Sequence, residues 1–490
     1  MVAELPAELW ILIFHFAFDD DAVLAPVLPA AWDASSWAQG SDGKWMLRSP
    51  QDNIGVCIRR RTGSLKAILS SCRYLRQIGT SFLYESVLIE VPSRILRLCL
   101  ALDADRHLSR QTKRIHISRY FQPNGVTAEE MDLAVISIIQ HCRKLQTFVF
   151  DWPLNKSFTP IADALCHYCR GTLHTLHISI PSTELAKLIW TLDSLQKLVA
   201  LHVEIGERHT EENHLGSASD INLKLPKLQQ LSLRGFFTDF VEEAIEWEFP
   251  RLTSLTLDFI NYRDELPDIE AFLQNHGSQL TYLDINCIPP LDVPMVLDLC
   301  PSLTSFSFNP DWRLPRDEVL PYEASSLVRV PHRGITTIGL HQLLYAFGVG
   351  YAAQYSKLDA ISTRYIRHSN DANFAALTKR NFPNLKTIRL LSRTLLRDLE
   401  MANGPDEVCY ERWERWWAQC SAQGVRLEDC TGAQLGYLPP QDTSTEGGSM
   451  ADDEEEEEED SVIDAIRSFD PIEQVRALRM RCQQVSAALS

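Results

Sequence analysis

Leu252-Thr253-Ser254-Leu255-Thr256-Leu257 is followed by Leu280-Thr281-Tyr282-Leu283-Asp284-Ile285 and then by Leu303-Thr304-Ser305-Phe306-Ser307-Phe308. Each stretch reads Leu-x-x-apolar-x-apolar, and its final alternation predicts a short strand with one buried face. Working outward, the pattern recurs from Leu145, Leu173, Leu198 and Leu228 on one side and from Ile335 and Leu385 on the other. The nine starts are separated by 28, 25, 30, 24, 28, 23, 32 and 50 residues. The last interval has room for two units, which makes residues 358–363 a poor copy. Ile115-x-Ile117 reads as a degenerate first strand.

The stretches between these strands read as helices. From Glu129 to Cys142, Met131, Val135, Ile138 and Ile139 share one side, and Thr127 with Glu130 forms a candidate capping box. Thr159-Pro160 opens a second helix with an N-cap and a first-turn proline. Pro226, Pro250, Pro301 and Pro383 each stand two residues ahead of a strand pattern and mark the turn into it. A strand plus a helix every twenty-odd residues is the period of the leucine-rich repeat. The position three beyond the pattern is usually Asn or Cys in that family. Here it is Pro153, Pro181, Gly206, Phe236, Ile260, Ile288 and Asp311, so the regular side-chain ladder is missing and smooth curvature is not expected. Trp413, Trp416, Trp417 and Cys420 share a helical face ahead of Val425-x-Leu427 and read as the closing cap, with a partner-binding tryptophan cluster as the alternative.

Ahead of the repeats, Pro6 suits a first helical turn, and Leu9, Leu12, Ile13 and Phe16 form one stripe at helical spacing. A second amphipathic segment, residues 64–78, places Leu65, Ile68, Leu69, Cys72 and Leu75 on one face, and residues 82–89 begin helical and end as a strand. Pattern alone supports two core helices of a small domain. The order Leu5-Pro6-x-Glu8-Leu9-x-x-x-Ile13-Phe14, then Leu69-x-x-Cys72-Arg73-x-Leu75-Arg76, then Leu83-Tyr84-Glu85 resembles an F-box. That resemblance implies a three-helix module docking on the Skp adaptor, and through it a cullin scaffold, in an SCF ubiquitin ligase. Leu5, Pro6, Leu9 and Ile13 would face the adaptor, and Leu69, Cys72 and Leu75 would complete the contact. Two features depart from the family: an insertion at about residues 18–63, and Leu75 where an aromatic residue is usual. Over about residues 4–432 the chain resembles fungal F-box proteins with irregular leucine-rich repeats.

The chain has 490 residues, 47 Lys and Arg against 65 Asp and Glu, and a formal charge of −18. Half of that excess sits in residues 452–460, an unbroken run of nine Asp and Glu. Nucleic acid and anionic membranes are poor partners for such a chain. From about residue 434 the composition turns to Pro, Asp, Thr, Ser and Gly, too polar to fold alone. The acidic run would compete with acidic ligands for any basic patch on the repeats. Residues 462–490 hold a short amphipathic helix on Val475, Leu478, Cys482, Val485 and Leu489. Twelve irregularly spaced cysteines read as reduced thiols, and the apolar stretch from Leu9 has acidic flanks unlike a secretory signal. No apolar run approaches the length of a membrane span. A cytoplasmic or nuclear location is expected.

No catalytic constellation stands out, and no cofactor or metal is expected. Gly348-x-Gly350-x-x-Ala353 imitates a dinucleotide fingerprint but follows a helix-like run instead of a strand. Cys166-x-x-Cys169 has no second cysteine pair and reads as core thiols. The expected class is α/β: an F-box at 1–90 with its insertion, an irregular repeat solenoid at 91–433, a disordered acidic linker at 434–461, and the last helix. The expected role is a non-catalytic receptor holding the adaptor at one end and an unknown protein substrate on the repeat face. Alternatives are a scaffold that binds Skp without directing ubiquitination, and an enzyme on an α/β core.

Overall fold

The computed structural model describes residues 5–18, 25–27, 37–39, 45–47, 50–206, 215–259, 267–287, 291–311, 327–392, 395, 398–399, 404–430 and 432–435. The expected linker and last helix lie outside the described residues, apart from Gln434 and Leu435. The chain begins with α1 (Ala7–Phe18), a small antiparallel pair β1 (Trp37–Gln39) and β2 (Trp45–Leu47), α2 (Pro50–Ser71) and α3 (Arg73–Glu85). Two features differ from the sequence reading. The single helix over 64–78 is broken at Cys72, which leaves the helical region (φ −154°, ψ 161°) and caps α3 by accepting from Leu75 N–H through its Sγ. The insertion is also shorter than 18–63 suggests, because residues 50–63 are the first half of α2.

The strands that follow are β3 (Ser86–Ile89), β4 (Arg114–Ile117), β5 (Thr147–Pro153), β6 (Thr175–Pro181), β7 (Ala200–Gly206) and β8 (Gln230–Gly235). They continue as β9 (Ser254–Phe259), β10 (Tyr282–Cys287), β11 (Ser305–Phe308), β12 (Thr337–Leu340), β13 (Thr387–Leu390) and β14 (Arg426–Glu428). All nine repeat copies, the degenerate strand at Ile115 and the last one at Leu427 are present as strands. β3 lies inside the stretch assigned to the helical module, so the sheet starts before residue 91.

These twelve strands form one sheet in strict chain order, each parallel to its neighbours. Parallel neighbours require a crossover, which α4 (Ser93–Ala104), α5 (Arg106–Ser109), α6 (Ala128–His141), α7 (Phe158–Tyr168) and α8 (Leu185–Ser194) supply in the first half. α9 (Thr238–Ala244), α10 (Ile269–His276) and α11 (Val293–Leu299) continue the series. The result is a solenoid-like α/β stack in which each unit packs on its neighbours.

Register explains the repeat. Val87, Ile115, Phe148, Leu176, Leu201, Leu231, Leu255, Leu283, Phe306, Ile338, Ile388 and Leu427 are successive partners across the sheet. All but Val87 are buried, in a continuous core shared with the helices. A one-residue slip would turn any of these strands inside out. The expected ladder position lacks Asn, but a short side-chain ladder forms two residues earlier. There Asn309 Nδ2 donates to Asn286 Oδ1 at 3.3 Å and Asn286 Nδ2 to Asp258 Oδ1 at 3.2 Å, and a threonine row accompanies it. Thr253, Thr281, Thr304 and Thr336, each one residue before a strand, donate their hydroxyls to the carbonyls of Gln229, Thr253, Thr281 and Thr304 at 3.3, 3.1, 2.9 and 3.2 Å.

Three local expectations fare differently. The capping box is formed: Glu130 N–H donates to Thr127 Oγ1 at 3.2 Å, and Thr127 N–H donates to Glu130 Oε2 at 2.8 Å. Thr159 is not an N-cap. α7 starts one residue earlier, and the Thr159 hydroxyl donates to Glu184 Oε2 at 2.9 Å. No strand occupies 358–363. The long interval holds α12 (Leu344–Phe347), α13 (Tyr351–Leu358) and α14 (Ala360–Ala375), and β12 pairs directly with β13. Leu358 and Ile361 stay exposed, so the apolar pair that imitated a strand faces solvent.

That helical block is anchored by Asp311, the residue at the ladder position of its unit. Its Oδ2 accepts from Leu344 N–H at 3.1 Å and its Oδ1 from Asn370 Nδ2 at 2.8 Å. It thereby holds a turn in which Gln342 and Leu343 both have positive φ, at 59° and 65°. The stack closes on α15 (Glu407–Gln423) and β14. Trp413, Trp416 and Cys420 are buried, with Trp416 stacked on Phe374 at 4.2 Å. The tryptophans are cap core, and the alternative of an exposed cluster does not apply.

Candidate functional site

The helical module has a core of its own: Phe14, Leu65, Leu69 and Phe82, with Leu75, Ile78 and Leu83 partly buried around it. Phe14 is 1% exposed, and its ring lies 5.4 Å from that of Phe82. Gly79 permits this approach, since a Cβ there would stand 2.4 Å from Leu69 Cδ2 and 3.1 Å from the Phe14 ring. The first turn of α1 closes on Pro6, whose carbonyl accepts from Leu9 N–H at 3.1 Å. Tyr74 donates its hydroxyl to the Leu5 carbonyl at 3.4 Å, which sets the start of α1 against the start of α3.

Phe14 turns inward with Trp10 half-buried beside it, and the large apolar residues on the other sides of α1 face out. Leu9 is 44% exposed, Leu12 49%, Ile13 41% and Phe16 79%, so the stripe read as one helical face is a solvent-facing apolar surface. Contiguous exposed apolar patches on a protein surface commonly mark interaction sites. Of the seven residues singled out, Pro6, Leu9, Ile13 and Cys72 are exposed, and Leu5 and Leu75 are half-buried. Leu69 is the exception. At 4% exposure it belongs to the module core and offers no surface for docking. Its helical spacing with Cys72 misled because the helix axis changes between them. Phe14, which the stripe omits, is what orients the helix.

A second feature was missed in the sequence. The residue between the two core positions of each strand faces the other side of the sheet, and His116, His177 and His202 all occupy that slot. With Asp151 they floor a cleft of about 610 Å³, one wall of which is Gly55 and Arg59 of α2. His116 Nε2 is hydrogen-bonded to Asp151 Oδ2, and His177 Nδ1 lies 3.6 Å from Asp151 Oδ1. Burial opposes ionisation of Asp151, but the hydrogen bond and charge of His116, aided by His177 and Arg114, hold its carboxyl below the usual range. Burial pushes His202 down to about 3, and His202 Nε2 meets Gln230 Oε1 at 3.3 Å. The cleft floor is therefore a set of fixed hydrogen-bonding groups. Among the described residues, His116 Nδ1 is buried without a hydrogen-bond partner.

The two decoys resolve on geometry. At Gly348 a Cβ would lie 2.5 Å from Asp406 Oδ2, and at Gly350 one would lie 2.7 Å from Asp398 Oδ2. A turn packed against carboxylates is hostile to phosphate. The Cys169 thiol is buried and pushed up to about 12, and burial raises Cys166 as well, so neither is a ready thiolate. Among the described residues no group of His, Cys, Asp and Glu could hold a metal ion, and no helix is long and apolar enough to cross a membrane. No family model matches the chain, and no curated protein matches it either.

Proposed function

We propose that this chain is an F-box-type substrate receptor: α1 and the start of α3 dock on a Skp adaptor, and the strand-lined face of the stack captures a protein for ubiquitination by the other subunits. The observation that carries the reading is the exposed apolar face of α1. Its ordering by Phe14 leaves Leu9, Leu12, Ile13 and Phe16 outward on a helix opened by Leu5-Pro6. The reading also draws on Cys72, which is exposed and caps α3 at its start. Such a receptor works by proximity, turning a bimolecular encounter into an effectively intramolecular one.

The test is co-purification with a Skp adaptor, intact chain against Leu9→Asp. Leu9 is nearly half exposed, so aspartate there remains hydrated in the free chain and leaves the fold intact. Buried against the adaptor, the unpaired charge costs at least about 2 kcal/mol, roughly thirtyfold in affinity. Binding by the intact chain that Leu9→Asp abolishes, with circular dichroism unchanged, supports the reading. A well-folded intact chain that captures no adaptor sinks it.

A further inference from the structure

The turns that enter the middle strands carry charge of one sign. Residues 142–146, 169–174, 194–199, 224–229 and 249–253, which lead into β5 to β9, hold seven Lys and Arg and no Asp or Glu, in a chain of formal charge −18. Parallel register sets these turns side by side along one edge of the sheet. Gln146, His174, Val199, Gln229 and Thr253 donate backbone N–H groups to the carbonyls of Lys113, Gln146, His174, Val199 and Gln229 respectively, at 2.7 to 2.9 Å. Lys144, Lys197, Lys227 and Arg251 each stand two residues before one of these donors, and Arg170 stands four before His174. The cations therefore recur in step with the strands.

Arg143, Lys144, Arg170, Lys197, Lys227 and Arg251 are exposed, and among the described residues none of them forms an ion pair. Lys224, the seventh, pairs with Glu248. The carboxylates in the five residues ahead of these turns are Asp193, Asp220, Glu246 and Glu248, and counting all four still leaves a surplus of three positive charges. His174 senses the row: burial lowers its pKa, and the charges of Lys227 and Lys197 lower it further. α6, α7 and α8 end at this edge, at His141, Tyr168 and Ser194, and their carbonyl ends favour cations there. No large apolar side chain of these turns is exposed, so the row offers neither a platform for stacking bases nor an anchor for a bilayer.

We propose that this edge binds a run of acidic residues in an unfolded segment of a partner protein, laid across the units of β5 to β9. Neighbouring strands lie about 4.8 Å apart, so the five units cover about 19 Å, which an extended run of about six residues spans at about 3.3 Å each. Exposed charges on both sides make the encounter fast and the binding salt-sensitive. The proposal goes beyond the adaptor reading and does not depend on what α1 docks on.

The test is fluorescence anisotropy with a fluorescein-labelled glutamate run flanked by glycines, against the same peptide with glutamine for glutamate. Residues 452–460 are changed to serine in every full-length protein compared, which removes the chain's own acidic run as a competitor. The glutamate peptide is expected to bind at least about tenfold tighter at low salt and to lose that advantage as salt is raised. Lys197→Glu with Lys227→Glu should erase the advantage while circular dichroism is unchanged, and Lys197→Arg with Lys227→Arg should keep it. Arg94→Glu with Arg97→Glu on α4 changes the net charge equally and should also keep it. Equal binding of the two peptides overturns the proposal, as does an advantage that survives the double reversal at Lys197 and Lys227. Equally tight binding of a single-stranded oligonucleotide, or of vesicles containing phosphatidylserine, overturns it too, by assigning the edge to polyanions at large.

Discussion

Asp311 makes the fold sensitive to pH in a direction opposite to that of a salt-bridged carboxylate. It is buried beneath the turn into α12, and desolvation pushes its carboxyl up to about 6, even though Asn370 and the backbone N–H groups of residues 343–345 favour the charged form. Because the folded value lies above the unfolded one, the folded state holds the proton more tightly. The associated stability is complete below the unfolded value near 4 and is lost as pH rises through about 6. A shift of about two units corresponds to about 3 kcal/mol, of which about 2 kcal/mol falls between pH 4.5 and 7.5. Asp311→Asn removes the titration and keeps the size. Urea unfolding of both proteins at pH 4.5, 5.5, 6.5 and 7.5 isolates the effect, since other groups cancel in the difference. The wild-type stability relative to the variant should fall by about 2 kcal/mol over that range. A difference independent of pH would refute the reasoning and mean that the carboxylate is fully compensated by its donors.

Other perturbations follow from the contacts. Phe14→Ala should destabilise the helical module by about 3–5 kcal/mol and release the amides of α1 to hydrogen exchange while those of β6 to β10 stay protected. Gly79→Ala should cost about 1–3 kcal/mol by thermal unfolding, because its methyl meets Leu69 and Phe14, and pairing it with Leu69→Ala should recover part of the loss. Glu85 bonds to Arg61 and, at 2.8 Å, to Lys113, tying α2 and α3 to the first units of the sheet. Glu85→Gln should therefore cost about 3 kcal/mol and raise exchange at β3, since Arg61 is left buried and unpaired. Burial works against this carboxylate, but Lys113 and Arg61 hold its pKa below the ordinary value, so its contribution is present above the carboxylate range and lost as pH falls. Thr281→Val should cost about 1 kcal/mol in urea unfolding with no change of fold.

Strand positions were legible because the core imposes period two on each copy and parallel register forces the copies to agree. Even Ile115-x-Ile117, stripped of its leading leucine, keeps its place between β3 and β5. Where no register constraint acts, reading was poorer. The interval before β13 contains helices because its apolar residues answer to Asp311 and the tryptophan cap instead of to the sheet. Helical spacing alone cannot show a bend, so Leu69 and Cys72 seemed to share a face although one is core and the other a cap. The outward residues of α1 were found because amphipathic spacing marks both faces, but not which one is buried. The cleft escaped notice because its histidines lie in slots that any polar residue fills, and only stacking brings His116, His177 and His202 side by side.

The threonine row has a direction. Thr253, Thr281, Thr304 and Thr336 each reach back to a carbonyl of the preceding unit, and none reaches forward. Synthesis delivers the chain from its N-terminus, so every new unit in this stretch emerges to find its acceptor already in place. The stack can lengthen on the ribosome one unit at a time without waiting for a distant segment. An interrupted chain would end on a hydrated carbonyl, the group least harmed by having no partner.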